Sequence, residues 1–161
     1  MTNQPNRAVV GLISDTHGLL RPSVHPALAG VDLILHAGDV GGDEILMELG
    51  MIAPVYAVYG NTDDQHDPSL SKEVVMELAG MSVHVSHGNE VGSPTPERLA
   101  AVYGQDILIY GHTHRQFVSR LGHQLIVNPG AAGPQRFKLL PTVARLTIEN
   151  GAASVETIAL D

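Results

Sequence analysis

The chain has 161 residues, 43% of them apolar, no cysteine and no tryptophan, and a formal net charge of −8. This excludes a disulfide scaffold and a thiolate metal site, and a globular fold is expected rather than disorder. The acidic balance argues against a broad electrostatic grip on nucleic acid, though not against a phosphate substrate, because bound cations can reverse the local field.

The polar lead Met1–Arg7 is too short for a signal peptide, and no apolar run approaches the ~20 residues of a membrane span. With no cysteine, this composition is expected in a reducing cytoplasm, and one domain over residues 1–161 is expected from the length. A monomer and a homo-oligomer are equally compatible with it.

Ala8–Ser14 reads as a buried strand, and Pro22 opens a helix predicted to end near Gly30. Asp32–His36 reads as a second strand. A helix is predicted over Asp43–Gly50, with Asp43 as its cap and Gly50 as its stop. Pro54–Tyr59 is the third strand, so the first half carries a βαβαβ rhythm and a parallel sheet. Lys72–Leu78 and Met81–Ser86 form a hairpin about Ala79-Gly80. A helix over Pro94–Tyr103 and a strand over Asp106–Tyr110 follow. Gln116–Leu121 pairs with Gln124–Val127. Thr142–Ile148 pairs with Ala153–Ala159 across Glu149-Asn150-Gly151, a strong turn signal. The mixture predicts an α/β fold, a layered α/β/β/α sandwich of two mixed sheets flanked by helices.

Polar clusters follow the apolar runs: Asp15-Thr16-His17, Gly38-Asp39, Gly60-Asn61, His87-Gly88 and Gly111-His112-Thr113-His114. Ligands in open α/β sheets bind outside the carboxyl ends of strands. These strand ends can therefore converge on one crevice. Taken singly, Asp15 reads equally as a helix cap, Gly38-Asp39 and Gly60-Asn61 as turns, and His87 as a hydrogen-bonded strand end. Taken together, Asp15, His17, Asp39, Asn61, His87, His112 and His114 are enough ligands for two metal ions if one carboxylate bridges them. Imidazole and oxygen donors suit manganese, ranked first here, and also nickel, iron, zinc and cobalt. His36 either supports Asp39 or is a satisfied core histidine. His25, His66, His84 and His123 have no partner spacing and read as structural or surface residues. Arg115 either meets a substrate phosphate or stays solvated. Asn128-Pro129-Gly130 reads as a rigid turn near the rim.

The ordered set Ser14-Asp15-Thr16-His17-Gly18, Gly38-Asp39, Gly60-Asn61-Thr62-Asp63, His87-Gly88 and Gly111-His112-Thr113-His114 resembles that of the calcineurin-like metallophosphoesterases. The short length, His36-Ala37-Gly38-Asp39 and Asn128-Pro129-Gly130 are similar to the small YfcE-type phosphodiesterases. The resemblance implies a first metal on Asp15, His17 and His114, and a second on Asn61, His87 and His112. Asp39 would bridge them, and a hydroxide between the two would attack phosphorus. The implied substrate is a small phosphodiester or phosphomonoester. Many relatives carry a histidine general acid directly after the motif asparagine, where this chain has Thr62. The YfcE-type subgroup commonly lacks it. Asp63 is then expected to orient a liganding histidine, with His114 or solvent protonating the leaving group. A scaffold resembling the retromer subunit is the competing class. The filled ligand positions argue against it.

Overall fold

In a computed structural model of the protein, residues 6–136 and 138–161 are described. The reading of a polar lead falls largely on residues 1–5, outside them.

The chain runs β1 (Arg7–Ile13), α1 (Val24–Ala27), β2 (Leu33–His36), α2 (Asp43–Gly50), β3 (Val55–Ala57), β4 (Val74–Leu78) and β5 (Met81–Val85). A 3-10 turn at Asn89–Val91 leads to α3 (Pro96–Val102), β6 (Ile107–Ile109), β7 (Phe117–Leu121), β8 (Gln124–Asn128), β9 (Thr142–Glu149) and β10 (Ala152–Ala159). One sheet has the order β10-β9-β1-β2-β3 and the other β4-β5-β6-β8-β7. β1, β2 and β3 are parallel in the first, as are β5, β6 and β8 in the second. β9, β10, β4 and β7 join antiparallel, so both sheets are mixed.

Strand alternation builds the layers. Ala8, Val10 and Leu12 point between the sheets, with Leu35, Val83, Val85, Ile107, Ile109, Leu125 and Val127. Val9 and Ile13 point the other way and pack with Val24 and Leu28 near α1 and with Ile45 and Leu49 of α2. Across the molecule, Leu108 and Ile126 of the second sheet meet Leu99 of α3. The result is the α/β/β/α sandwich. Each fully buried Leu or Ile of these layers contributes about 1.5–3 kcal/mol relative to exposure. Among the described residues, no helix is long and apolar enough to cross a membrane.

Local chemistry moved some boundaries. The helix expected over 22–30 is a single turn, Val24–Ala27. Pro26 inside it has no backbone N–H to donate. In α2 the cap is Gly42, not Asp43, whose carboxylate lies in the first turn instead. Gly50 closes the helix as its last residue, and Met51 is the cap beyond it. α3 begins at Pro96 rather than Pro94 because Thr95 accepts a hydrogen bond from the Arg98 N–H at 3.1 Å. The third hairpin turns on Asn150 and Gly151, both at positive φ (52° and 77°) as a tight two-residue turn requires.

Candidate metal centre

The carboxyl ends of β1, β2, β3, β5 and β6 each feed a loop into one crevice between the sheets. Among the described residues, five of the seven non-glycine positions at positive φ are Asp15, His17, Asp39, His112 and His114; the others are the hairpin residues Ala79 and Asn150. Left-handed backbone costs a non-glycine residue about 1–3 kcal/mol and persists where the surroundings over-determine it. Here it turns five polar side chains of three loops inward.

Asp15, His17 and His114 form one group. The Nε2 atoms of His17 and His114 lie 3.4 Å apart, and 3.7 and 3.3 Å from Asp15 Oδ1. Asp39, Asn61, His87 and His112 form the other. His87 Nε2 is 3.2 Å from Asp39 Oδ2, 3.0 Å from Asn61 Oδ1 and 3.3 Å from His112 Nδ1. His112 Nδ1 is also 3.1 Å from Asn61 Oδ1. Asp39 stands between the groups, with Oδ2 3.7 Å from His17 Nε2 as well. Asp15 Oδ1 also approaches the second group, 4.0 Å from His87 Nε2. All seven residues singled out in the sequence are brought together.

The surroundings leave the inward atoms available. Asp15 is fully buried, and its Oδ2 accepts from Ser14 Oγ at 2.6 Å and the His112 N–H at 3.2 Å. Its Oδ1 has no hydrogen-bond partner. Asp39 uses Oδ1 to accept from the N–H and Oγ1 of Thr62, leaving Oδ2 facing the histidines. Burial pushes the Asp39 carboxyl up, but hydrogen bonds from His87 and Thr62 more than offset this and hold it well below the usual range. His87 Nδ1 lies 2.7 Å from the Ala37 carbonyl, which can only accept, so Nδ1 carries the proton and Nε2 looks into the crevice. Burial lowers the His87 pKa, yet Asp39 and Asp15 prevail and raise it. At His112 burial and the neighbouring His87 lower it.

This donor set fits divalent cations. Ring nitrogens and an amide oxygen gathered within 3.0–3.4 Å of one another form a donor set that a cation would satisfy, and a buried carboxylate oxygen without a partner is costly. Three-residue groups with ligand atoms all within 4.8 Å of one another are Asp15, His17 and His114, and Asp15, Asp39 and His87.

Two glycines make the approach possible. A Cβ on Gly38 (φ 103°) would lie 2.6 Å from His87 Nδ1, and one on Gly111 would lie 2.7 Å from Asp15 Oδ2.

Asp63 does not orient a histidine. Its carboxylate accepts from the N–H groups of Val40 (3.0 Å), Gly41 (3.1 Å) and Gly60 (2.9 Å). It ties the Asp39 loop to the Asn61 loop instead. His36 is a buried tie of the same kind: Nδ1 accepts from the Gly38 N–H and Nε2 meets Thr16 Oγ1 at 3.0 Å. Burial lowers its pKa to about 4, so it is neutral. Sequence reasoning missed the role of Asn128. This buried residue donates through Nδ2 to the Gly111 carbonyl and Thr113 Oγ1, bracing the Gly-His-Thr-His loop. Its signal was its place directly after an apolar strand and before Pro129-Gly130. A cavity of about 640 Å³ lined by Lys72, Glu73, Arg98 and Tyr103 shares no residue with this crevice.

The chain is 36% identical over 147 residues to a probable metallophosphoesterase of Methanothermobacter thermautotrophicus, covering 86% of this chain and 80% of that one. It is 31% identical over 153 residues to the probable metallophosphoesterase YsnB of Bacillus subtilis, covering 89% and 86%. Vacuolar protein sorting 29 of Cryptosporidium parvum has the same fold, with a TM-score of 0.80 over 96% of this chain and 98% of that one, at 23% identity. The family model for the calcineurin-like phosphoesterase superfamily domain matches residues 9–151. The chain therefore belongs to the calcineurin-like phosphoesterase superfamily, a family of metal-binding hydrolases of phosphate esters.

Proposed function

We propose that the chain is a dinuclear metal-dependent phosphodiesterase, acting as one domain on a small phosphodiester. The observation that carries this reading is the shared carboxylate. Asp39 Oδ2 faces a donor group on either side, while Asp15 Oδ1 is buried without a partner. In this reading Asp15, His17 and His114 would hold one ion, Asn61, His87 and His112 the other, and Asp39 would serve both. Two divalent ions held there would supply an activated water and charge stabilisation at phosphorus. Manganese is the first candidate, with nickel, iron, zinc and cobalt behind it.

The protein's own residues then have distinct tasks. Asp39 and Asn61 set the spacing of the two groups. Asp63 holds their loops in register. Leaving-group protonation falls to solvent: His114 turns Nε2 toward Asp15 and His17, and its Nδ1 is buried. Thr62 cannot donate a proton at neutral pH.

A diester is favoured over a monoester by the phosphodiesterase of Methanocaldococcus jannaschii, 25% identical over 75% of this chain. A phosphomonoesterase is the second reading, since the donor groups act on the phosphoryl centre common to both. The vacuolar sorting neighbours keep a protein scaffold as a third class, but their likeness is one of fold. The lack of cysteine fits a reducing cytoplasm.

The test is to strip the protein with chelator and assay bis(p-nitrophenyl) phosphate and p-nitrophenyl phosphate with Mn²⁺, Ni²⁺, Co²⁺, Zn²⁺ and Mg²⁺. Metal-dependent diester turnover, lost in His112→Ala, is expected. Folded, metal-loaded protein that cuts neither ester would overturn the enzyme reading.

A further inference from the structure

Four strands bound the two sheets: β10 and β3 in the first, β4 and β7 in the second. A free edge presents unpaired N–H and C=O groups, and folded proteins blunt it with shortness, charge, proline or cover. β3 is three residues long. β4 carries Glu77, with Lys72 and Glu73 just before it. β10 carries Glu156, and its Ala153 carbonyl accepts from Arg120 at 2.6 Å. β7, Phe117-Val118-Ser119-Arg120-Leu121, has no acid, lysine or proline, and its Arg120 side chain is spent on that Ala153 carbonyl.

The hairpin fixes which groups of β7 face outward. Gly122 (φ 58°) and His123 make a two-residue turn between the paired Leu121 and Gln124. Residues flanking such a turn exchange both of their hydrogen bonds, and bonded and non-bonded pairs alternate from there along the ladder. Leu121, Ser119 and Phe117 therefore turn their N–H and C=O groups to β8, and Val118 and Arg120 turn theirs to the open edge. Among the described residues nothing pairs with those outward groups. The side chains beside them are apolar and half in water: Phe117 is 46% and Val118 44% exposed.

The occupant that fits this edge is the edge itself. An antiparallel β7 turned about a two-fold axis through Ser119 sets Val118 opposite the partner's Arg120, and Arg120 opposite the partner's Val118. Every outward N–H and C=O of the two residues then meets a complement. Phe117 falls opposite the partner's Leu121, on the α3 side of the sheet where Leu121 packs. Two residues further on, Arg115 falls opposite the partner's His123, whose Nε2 lies 3.8 Å from Asp106 Oδ1. Among the described residues the Arg115 guanidinium makes no hydrogen bond or ion pair, and only its backbone N–H is used, by Thr113 Oγ1. The free cation thus comes to the partner's carboxylate. β4 does not complement itself in this way: paired about Met76, it would set Glu77 diagonal to the partner's Glu77, and like charges repel there. A two-fold contact is isologous, so it closes at two copies instead of growing into a fibre.

We propose that β7 pairs with β7 of a second copy across a two-fold axis at Ser119, joining the second sheets of the two copies, five strands each, into one. Backbone pairing of Val118 and Arg120 makes the contact. Phe117 against the partner's Leu121 and Arg115 beside the partner's Asp106 flank it. The pairing is independent of the ester that the protein cuts.

The chain has no cysteine, so Ser119→Cys places a single thiol at the axis. Opposed residues of a non-bonded antiparallel pair have Cα atoms about 4.5 Å apart, within disulfide reach. Mild oxidation should convert most of this variant to a covalent dimer, while Val75→Cys, on the β4 edge, should cross-link far more slowly. Sedimentation velocity over a wide dilution series should show the parent passing from monomer to dimer. Val118→Pro removes only an outward N–H, which an edge strand tolerates, and should weaken the dimer about tenfold or more. Arg115→Ala should weaken it severalfold at low salt and less at high salt. A parent that stays monomeric throughout the series overturns the proposal. So does a Val118→Pro variant that dimerises as tightly as the parent, or a Ser119→Cys variant that cross-links no faster than Val75→Cys. The cysteine variant leaves every backbone group in place, so it decides the matter even where the proline variant fails to fold.

Discussion

Thr62 grips one oxygen of Asp39 twice, donating from its backbone N–H at 2.9 Å and from its Oγ1 at 2.8 Å. The grip falls on Oδ1, so Oδ2 is the oxygen turned to His17 and His87. Thr62 occupies the place where many relatives of the resembled family carry a histidine. Here it serves the proposed bridging carboxylate.

Removing that hydroxyl should loosen Asp39 without emptying the site. Residues that orient metal ligands typically cost 10–100-fold in affinity when lost. Thr62→Val keeps the shape and the backbone bond but not the hydroxyl bond. Calorimetric titration of stripped protein with Mn²⁺ should show affinity about tenfold weaker or more, with Thr62→Ser near the parent. Equal affinities for all three would show that the hydroxyl does not position Asp39.

Much of this was legible in the sequence because it rests on short-range signals. Apolar runs ending in Asp, Asn and His pairs located all seven converging residues, and Asn150-Gly151 located a hairpin. The failures were long-range. Asp63 looked like a partner for a histidine because acids commonly orient imidazoles. Its actual partners are backbone N–H groups of Val40, Gly41 and Gly60, which no composition or spacing displays. Helix ends moved for local hydrogen-bonding reasons, as at Pro26 and Thr95. The helix-end errors leave the crevice untouched, because the strand ends that feed it are fixed by buried strands rather than by helix caps; the Asp63 error falls on a residue that ties two of its loops.

His36 makes acid stability a test of the loop architecture. Burial lowers its pKa from 6.5 to about 4, against the opposing pull of Asp15, Asp63 and Asp39. A histidine with a depressed folded pKa stabilises fully above its unfolded value and loses that stabilisation as pH falls toward the folded one. The window is therefore pH 6.5 down to about 4. The gap between those values corresponds to about 3 kcal/mol as an upper figure. His87 has the opposite sign: its pKa is raised, so its contribution is full below 6.5 and fades as pH rises past its folded value. His36→Gln cannot protonate. In stripped protein its urea midpoint at pH 7 should fall, because the Thr16–Gly38 tie is disturbed. Between pH 6.5 and 4 it should lose up to about 3 kcal/mol less stability than the parent. Parallel curves for parent and variant through that window would mean that His36 titrates normally in the folded chain.

Asn128 tests how the Gly-His-Thr-His loop is held. Its Nδ2 donates to the Gly111 carbonyl at 3.2 Å and to Thr113 Oγ1 at 3.0 Å, while its Oδ1 accepts from the Gly130 N–H at 2.9 Å. Asn128→Asp has nearly the same shape and keeps the Oδ1 bond. It replaces the donor with an acceptor facing the Gly111 carbonyl, and it buries a charge. That change should cost about 1–3 kcal/mol or more of stability, because a buried polar group is left facing its own kind. His112 and His114 flank Thr113, so the same change should also weaken metal binding. Asn128→Ala, which removes all three hydrogen bonds but introduces no repulsion, should fall between parent and Asp in both thermal midpoint and Mn²⁺ affinity. The ordering is the informative result. If Asp and Ala variants bound Mn²⁺ as tightly as the parent while both were destabilised, Asn128 would support the strand end alone, and the loop would owe its left-handed His112 and His114 backbone to other contacts.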